Sequence, residues 1–200
     1  MNRVVLVGDS IRMHYEPFVR EALGGAFEVI STEENGGTIT NVLEHLNEWV
    51  IAHQPDVVHL NTGLHDLARS REGDGSPRTS PQMYRQMLER VFDIIREETD
   101  ATIIWARTTP VNSAKHAAAK AFDRHETDVE AYNHIADEVA AQFKIKINDL
   151  YTFVMESGKD QLLGDDGVHF PMDACRLLGN QVARVIRESC TEPAHSKERT

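Results

Sequence analysis

Apolar residues along the chain fall alternately into short continuous runs and into stretches with helical spacing. Residues 3–8 form a continuous apolar run that ends in Gly-Asp-Ser, as a strand buried on both faces should read. Pro17 stands where a first helical position is expected, and Phe18, Val19, Ala22 and Leu23 supply a short apolar face that Gly24-Gly25 ends. Residues 27–30 read as a second strand. Ile39, Val42, Leu43, Leu46, Trp49 and Val50 recur at helical spacing and predict an amphipathic helix over 38–53, which Pro55 breaks. A third strand is expected over 56–61 and a polar loop rich in Gly, Ser and Arg over 67–79. Ser80-Pro81 is a cap followed by a proline at the first helical position, and the helix it opens runs to about Glu98. Strands at 102–106 and 145–147 enclose a helix at 127–143, and a helix over 172–188 precedes a polar tail.

Five strands separated by helices imply right-handed crossovers and a mostly parallel five-stranded sheet covered by helices on both faces, a three-layer doubly wound α/β sandwich. With no internal repeat and no linker, the expectation is one domain over 1–188 with a tail at 189–200. In such sheets ligands bind beyond the carboxyl ends of the strands, which is where chemistry should be sought.

Composition narrows the field. The chain has 200 residues with 40% hydrophobic and 26% charged positions, which reads as globular, and a formal net charge of −11. That charge argues against nucleic acid or an anionic membrane surface as partner. No run approaches the ~20 apolar residues of a spanning helix, and the first residues read as a strand rather than a signal peptide. Cys175 and Cys190 fall on or just past one helix, ~22 Å apart at its rise, too far for a disulfide, so a cytoplasmic setting is expected. The sequence carries no signal for an oligomeric state.

Two strand-end segments carry candidate chemistry. In Gly8-Asp9-Ser10 a serine on a sharp turn between strand and helix has an exposed hydroxyl suited to a nucleophile, although Asp and Ser are also the commonest helix caps. In Gly164-Asp165-Asp166-Gly167-Val168-His169 a carboxylate three residues before a histidine can orient the imidazole and leave its other nitrogen as general base; the same residues also read as a plain turn with a surface histidine.

Taken together, Gly8-Asp9-Ser10-Ile11 and Asp166-Gly167-Val168-His169 resemble the first and last blocks of the GDSL, or SGNH, hydrolases. Asn35-Gly36-Gly37-Thr38 resembles the family's glycine block, with the spacing favouring Gly36, and Thr62-Gly63-Leu64-His65-Asp66 resembles its Gly-x-Asn-Asp block. Thr108-Thr109-Pro110-Val111 and Asn148-Asp149-Leu150-Tyr151 also fit, so the resemblance runs from Val4 to about Ile186. It implies a flavodoxin-like fold and a serine esterase in which Ser10 attacks the ester, His169 shuttles the proton and Asp166 fixes the imidazole tautomer, with no cofactor and no metal. The oxyanion would be met by the amides of Ser10 and Gly36. The family's third donor is an asparagine side chain; here His65 stands in its place, and a neutral imidazole can still donate one N–H.

Substrate positioning is open to Asp9, to Arg12, for which a surface ion pair with Glu16 is the stronger expectation, and to Asn61, which more often reads as a backbone cap. Asp66 reads as structural. The locally basic segment 115–125 is expected as a solvated loop with a short Ala-rich helix, and alternatively as a cap over the pocket. The leading expectation is hydrolysis of small or carbohydrate-borne acyl esters, acetyl first, since nothing long and apolar is inserted to serve a lipase. Two alternatives stand beside it. One is a metal-dependent phosphoesterase using Asp9, His65, Asp66, Asp166 and His169, and the other is a binding relative without catalysis.

Overall fold

The computed structural model describes residues 1–191. Its central sheet holds β1 (Asn2–Val7), β2 (Phe27–Ser31), β3 (Val57–Leu60), β5 (Thr102–Ala106) and β7 (Lys146–Asn148), all parallel, in the order β2-β1-β3-β5-β7. A two-stranded antiparallel ribbon pairs β4 (Arg69–Ser70) with β6 (Phe122–Asp123). The helices are α1 (Ser10–Leu23), α2 (Ile39–Trp49), α3 (Pro81–Glu98), α4 (Ser113–Ala119), α5 (Glu126–Gln142), α6 (Leu150–Glu156), α7 (Lys159–Leu162) and α8 (Met172–Thr191).

The continuous apolar strands predict burial on both faces, and Val4 to Val7 and Val57 to Leu60 are buried throughout. On one face α1 packs against α8; on the other α3 packs between α2 and α5. Tyr15 of α1 stands edge-on to His59 of β3, while Phe92 of α3 does the same against Trp105 of β5, so the two faces are built by different strand residues. Burial lowers His59 to about 4, which keeps this core histidine neutral.

Several boundaries differ from the sequence reading. α1 begins at Ser10 and carries Pro17 in its interior rather than at its start. The Asp9 carboxylate accepts from the Ile11 amide at 2.9 Å and so starts the helix directly after the strand. Pro17 lies on the exposed side, where water can take the carbonyl it leaves unbonded. The helix expected over 38–53 ends at Trp49 and continues as a tighter turn over Ile51–His53. The 67–79 loop contributes β4, and α6 and α7 fill residues 150–162, which carried no helix expectation. α8 runs through residues 189–191, which the sequence places in the tail; residues 192–200 lie outside the described residues. Cys175 is buried and Cys190 half-buried on that one helix, both free thiols. Among the described residues no helix is long and apolar enough to cross a membrane.

Chain order reverses between β1, which is followed by β2 on one side, and β3 on the other. In this order the crevice for ligands opens between the carboxyl ends of β1 and β3. Those ends carry Gly8-Asp9-Ser10 and residues 61–66.

Candidate active site

Ser10 is the first residue of α1, half-buried, with its Oγ 2.9 Å from Nε2 of His169. As a first-turn amide its N–H has no acceptor within the helix. Nδ1 of His169 lies 2.5 Å from Oδ2 of Asp166, and the other oxygen of Asp166 accepts from the amides of Val168 (3.0 Å) and His169 (2.9 Å). The carboxylate, imidazole and hydroxyl therefore form one hydrogen-bonded line spanning 159 residues of sequence. Partial burial opposes charge on Asp166. The bonds from the His169 ring and from the two amides outweigh it and hold the carboxyl below the ordinary range.

The turn that presents His169 depends on Gly167. Its φ is +70°, and an added Cβ would fall 2.4 Å from the carbonyl oxygen of Asn112 and 2.9 Å from the amide of His116. The start of α4 sits on this turn, with the Asn112 amide donating to the Gly167 carbonyl at 2.7 Å.

Gly36 approaches the site from α2's leading loop. Its N–H donates to the Gly8 carbonyl at 3.0 Å, so the amide expected to meet an oxyanion is already engaged, and a Cβ there would lie 2.8 Å from the same oxygen. The Gly37 amide is likewise taken by Asn35 Oδ1 at 2.9 Å. Asp66 ties this loop to the next: it accepts from the Ile39 amide at 3.0 Å and from Thr79 Oγ1 at 2.7 Å. Burial pushes its carboxyl up to about 6.

His65 is half-buried beside Asp66, within electrostatic reach of Asp9, His169, Arg124 and Arg78. Burial first, then the positive charge of Arg124 and Arg78, holds its ring below the ordinary histidine range against the pull of Asp9. The imidazole is thus neutral at pH 7, with one N–H to give.

The other expected residues lie in the wall behind the nucleophile turn. Asp9, Arg12 and Asn61 line a narrow crevice with Tyr15 and Leu64, and neither Ser10 nor His169 is in its lining. The ion pair of Arg12 with Glu16 forms at 2.6 Å but is buried rather than on the surface, Arg12 being 2% exposed and also donating to the Glu34 carbonyl at 2.9 Å. Asn61 donates to the Ala106 carbonyl at 2.8 Å. Among the described residues no three His, Cys, Asp or Glu side chains stand together as a metal cluster, so the five residues of the phosphoesterase alternative do not converge on one ion.

Sequence reasoning missed His14, whose ring centroid is 5.3 Å from that of His169; its place one turn after Ser10 on α1 was the available signal. It also missed Arg78, which the sequence left inside a polar loop.

The residues 7–174 match the GDSL-like Lipase/Acylhydrolase family. No curated protein matches the chain. Among solved structures, a lipase/acylhydrolase from Enterococcus faecalis is 25% identical with a TM-score of 0.78, over 94% of this chain and 97% of that one. The acetyl xylan esterase AlAXEase is 17% identical with a TM-score of 0.74, over 92% of this chain and 99% of the other. Axe2, an acetylxylan esterase from Geobacillus stearothermophilus, is 17% identical with a TM-score of 0.73, over 92% and 94%. At that identity the last two speak for the fold. With the parallel sheet, the strand-end blocks and the matched residues in agreement, the chain belongs to the GDSL-like lipase/acylhydrolase family and is an ester-bond hydrolase.

Proposed function

We propose that this protein is a serine esterase that hydrolyses small or carbohydrate-borne acyl esters, acetyl esters foremost, through Ser10, His169 and Asp166 in one catalytic domain. The observation that carries the reading is the hydrogen-bonded line from Ser10 Oγ through the imidazole to Asp166. Ser10 Oγ attacks the ester carbonyl and its proton passes to His169 Nε2. Asp166, held ionised, keeps the proton on Nδ1 and stabilises the imidazolium that forms. Nε2 then protonates the departing alkoxide, leaving an acyl-Ser10 ester. Water attacks that ester, gives its proton to Nε2, and the carboxylic acid leaves as Ser10 regains its hydroxyl.

The oxyanion is met by the Ser10 amide and by the neutral ring of His65; Gly36 contributes only if its N–H is shared with the Gly8 carbonyl. The acetyl preference rests on the two acetyl xylan esterases of the same fold and on the lack of a long apolar insertion among the described residues. Cytoplasmic placement belongs to the same proposal and rests on the two free thiols. The test is a fluorophosphonate probe followed by peptide mapping, together with acetate release from acetylated xylo-oligosaccharides. Label on Ser10 and acetate release are expected; no label on Ser10 would overturn the serine mechanism.

A further inference from the structure

In a chain of net charge −11, residues 115–125 remain locally basic, and their fold sets them beside the Ser10–His169 line. α4 rests on the Gly167 turn through its Asn112 cap, and Lys120 Nζ lies 3.9 Å from Asp166. The fully buried His116 of α4 stands edge-on to Phe122 of β6, with centroids 5.1 Å apart. Two guanidiniums lie over that same ring, Arg124 at 5.0 Å and Arg78 at 5.5 Å. Arg124 is 5% exposed and spends its Nε on the carbonyl of Leu64, at 2.7 Å, the residue before His65. Arg124 is therefore tied to the His65 loop within electrostatic reach of Asp166, and Arg78 stands beside it on the same ring.

Most other arginines are paired with a carboxylate: Arg12 with Glu16, Arg69 with Asp128, Arg71 with Asp123 and Arg107 with Asp137. Arg78 and Arg124 have none at ion-pair distance among the described residues. The carboxylates that reach Arg124 electrostatically, Asp9 and Asp166, have partners of their own in the Ile11 amide and His169. Burial, then the neighbouring Arg78, lowers Arg124 to about 10, so it stays charged at pH 7. Like charges held together on one ring, one of them desolvated, form an arrangement that a bound anion relieves. The chain's overall negative charge otherwise repels an anion.

We propose that Arg78 and Arg124, gathered on Phe122, form a subsite for a carboxylate carried by the ester substrate, which makes this enzyme selective for acidic esters. The proposal rests on the esterase reading above and deepens it.

Two matched pairs of esters test it and locate the anion. Mono-4-nitrophenyl glutarate against its methyl ester carries the charge on the acyl side; 4-acetoxybenzoate against its methyl ester carries it on the leaving group. The expected result is that, in one pair, kcat/KM favours the anion by ~10-fold or more, mainly through KM, since a charged hydrogen bond differs from a neutral one by about that factor. Arg78 is exposed, so Arg78→Gln and Arg78→Glu should fold, and in that pair they should lower the anion-to-neutral ratio by ~10–100-fold. Reading a ratio within each variant cancels any general loss of activity. Equal rates within both pairs, or a ratio unmoved in Arg78→Glu, would overturn the subsite. Fluorophosphonate labelling run in parallel separates the two readings: Ser10 labelled without charge selectivity removes the subsite alone, whereas no label removes the serine mechanism beneath it.

Discussion

Ser10, His169 and Asp166 act as a unit if the proposed mechanism holds, so Ser10→Ala and His169→Ala should each lower hydrolysis of 4-nitrophenyl acetate by ~10³-fold or more, with melting temperature little changed. Residual turnover above a few per cent in Ser10→Ala would point to another nucleophile. His65 stands where the resemblance to the family implies an asparagine. His65→Ala should lower kcat by ~10–10³-fold with KM nearly constant, because an oxyanion bond strengthens only in the transition state, and His65→Asn should restore much of the loss. An Ala variant that melts early yet turns over normally at low temperature would make His65 structural instead. Asp66 gives a pH prediction of definite sign. Unfolded, its carboxyl titrates near 4; folded, burial raises it to about 6. Between those values the folded state binds more protons, so the stability it contributes is present below pH ~4 and lost as pH rises through about 6, by up to ~3 kcal/mol. Asp66→Asn should flatten that part of the stability–pH profile in urea titrations, and an unchanged slope would refute the assignment.

At the scale of elements, the site is assembled from strand-end turns that other elements brace. Asp9 starts α1, Asp66 bonds the first amide of α2, and α4 clamps the Gly167 turn. Gly167→Ala should therefore strain the turn at a positive φ and push on Asn112 and His116. We expect ~1–3 kcal/mol of destabilisation in chemical denaturation and a fall in kcat from a misaligned imidazole. Wild-type stability and rate in this variant would show that the turn relaxes freely. The strands, α3 and α5 were legible in the sequence because apolar period and capping agree there; Ser80 caps and Pro81 opens α3 as read. α1 was misread because Pro17 carries a strong start signal, yet Asp9 had already capped the chain eight residues earlier and packing on α8 outweighed one lost hydrogen bond. β4 and β6 were illegible since each is two residues long and exists only through pairing across more than fifty residues of chain.

For the molecule as a whole, the first and last helices close one face of the sheet together. α8 buries Cys175, Leu178, Val182, Val185 and Ile186, each large side chain worth ~1.5–3 kcal/mol, against a typical total stability of ~5–15 kcal/mol. A chain ending at Pro171 keeps Ser10, Asp166 and His169 but should lose cooperative thermal unfolding in circular dichroism and all ester hydrolysis. A cooperative, active truncated protein would show that α8 is dispensable. The five-stranded order β2-β1-β3-β5-β7 agrees with the doubly wound sandwich expected from alternating strands and helices.

By itself the sequence determined the α/β class, the five sheet strands and the identity of the strand-end blocks, because apolar periodicity, caps and motif spacing are local properties written in consecutive residues. It also contained the departure at His65. Only the tertiary structure decided which groups meet. It set Ser10 Oγ 2.9 Å from an imidazole 159 residues away, took up the Gly36 amide with the Gly8 carbonyl, and turned Arg12 to Glu16 and Asn61 to the Ala106 carbonyl. It also brought Arg78, from a polar loop, and Arg124, from a basic segment, onto one phenyl ring. Such pairings depend on chain crossovers and on which donors the packed core leaves unsatisfied, and neither is encoded in the spacing of neighbouring residues.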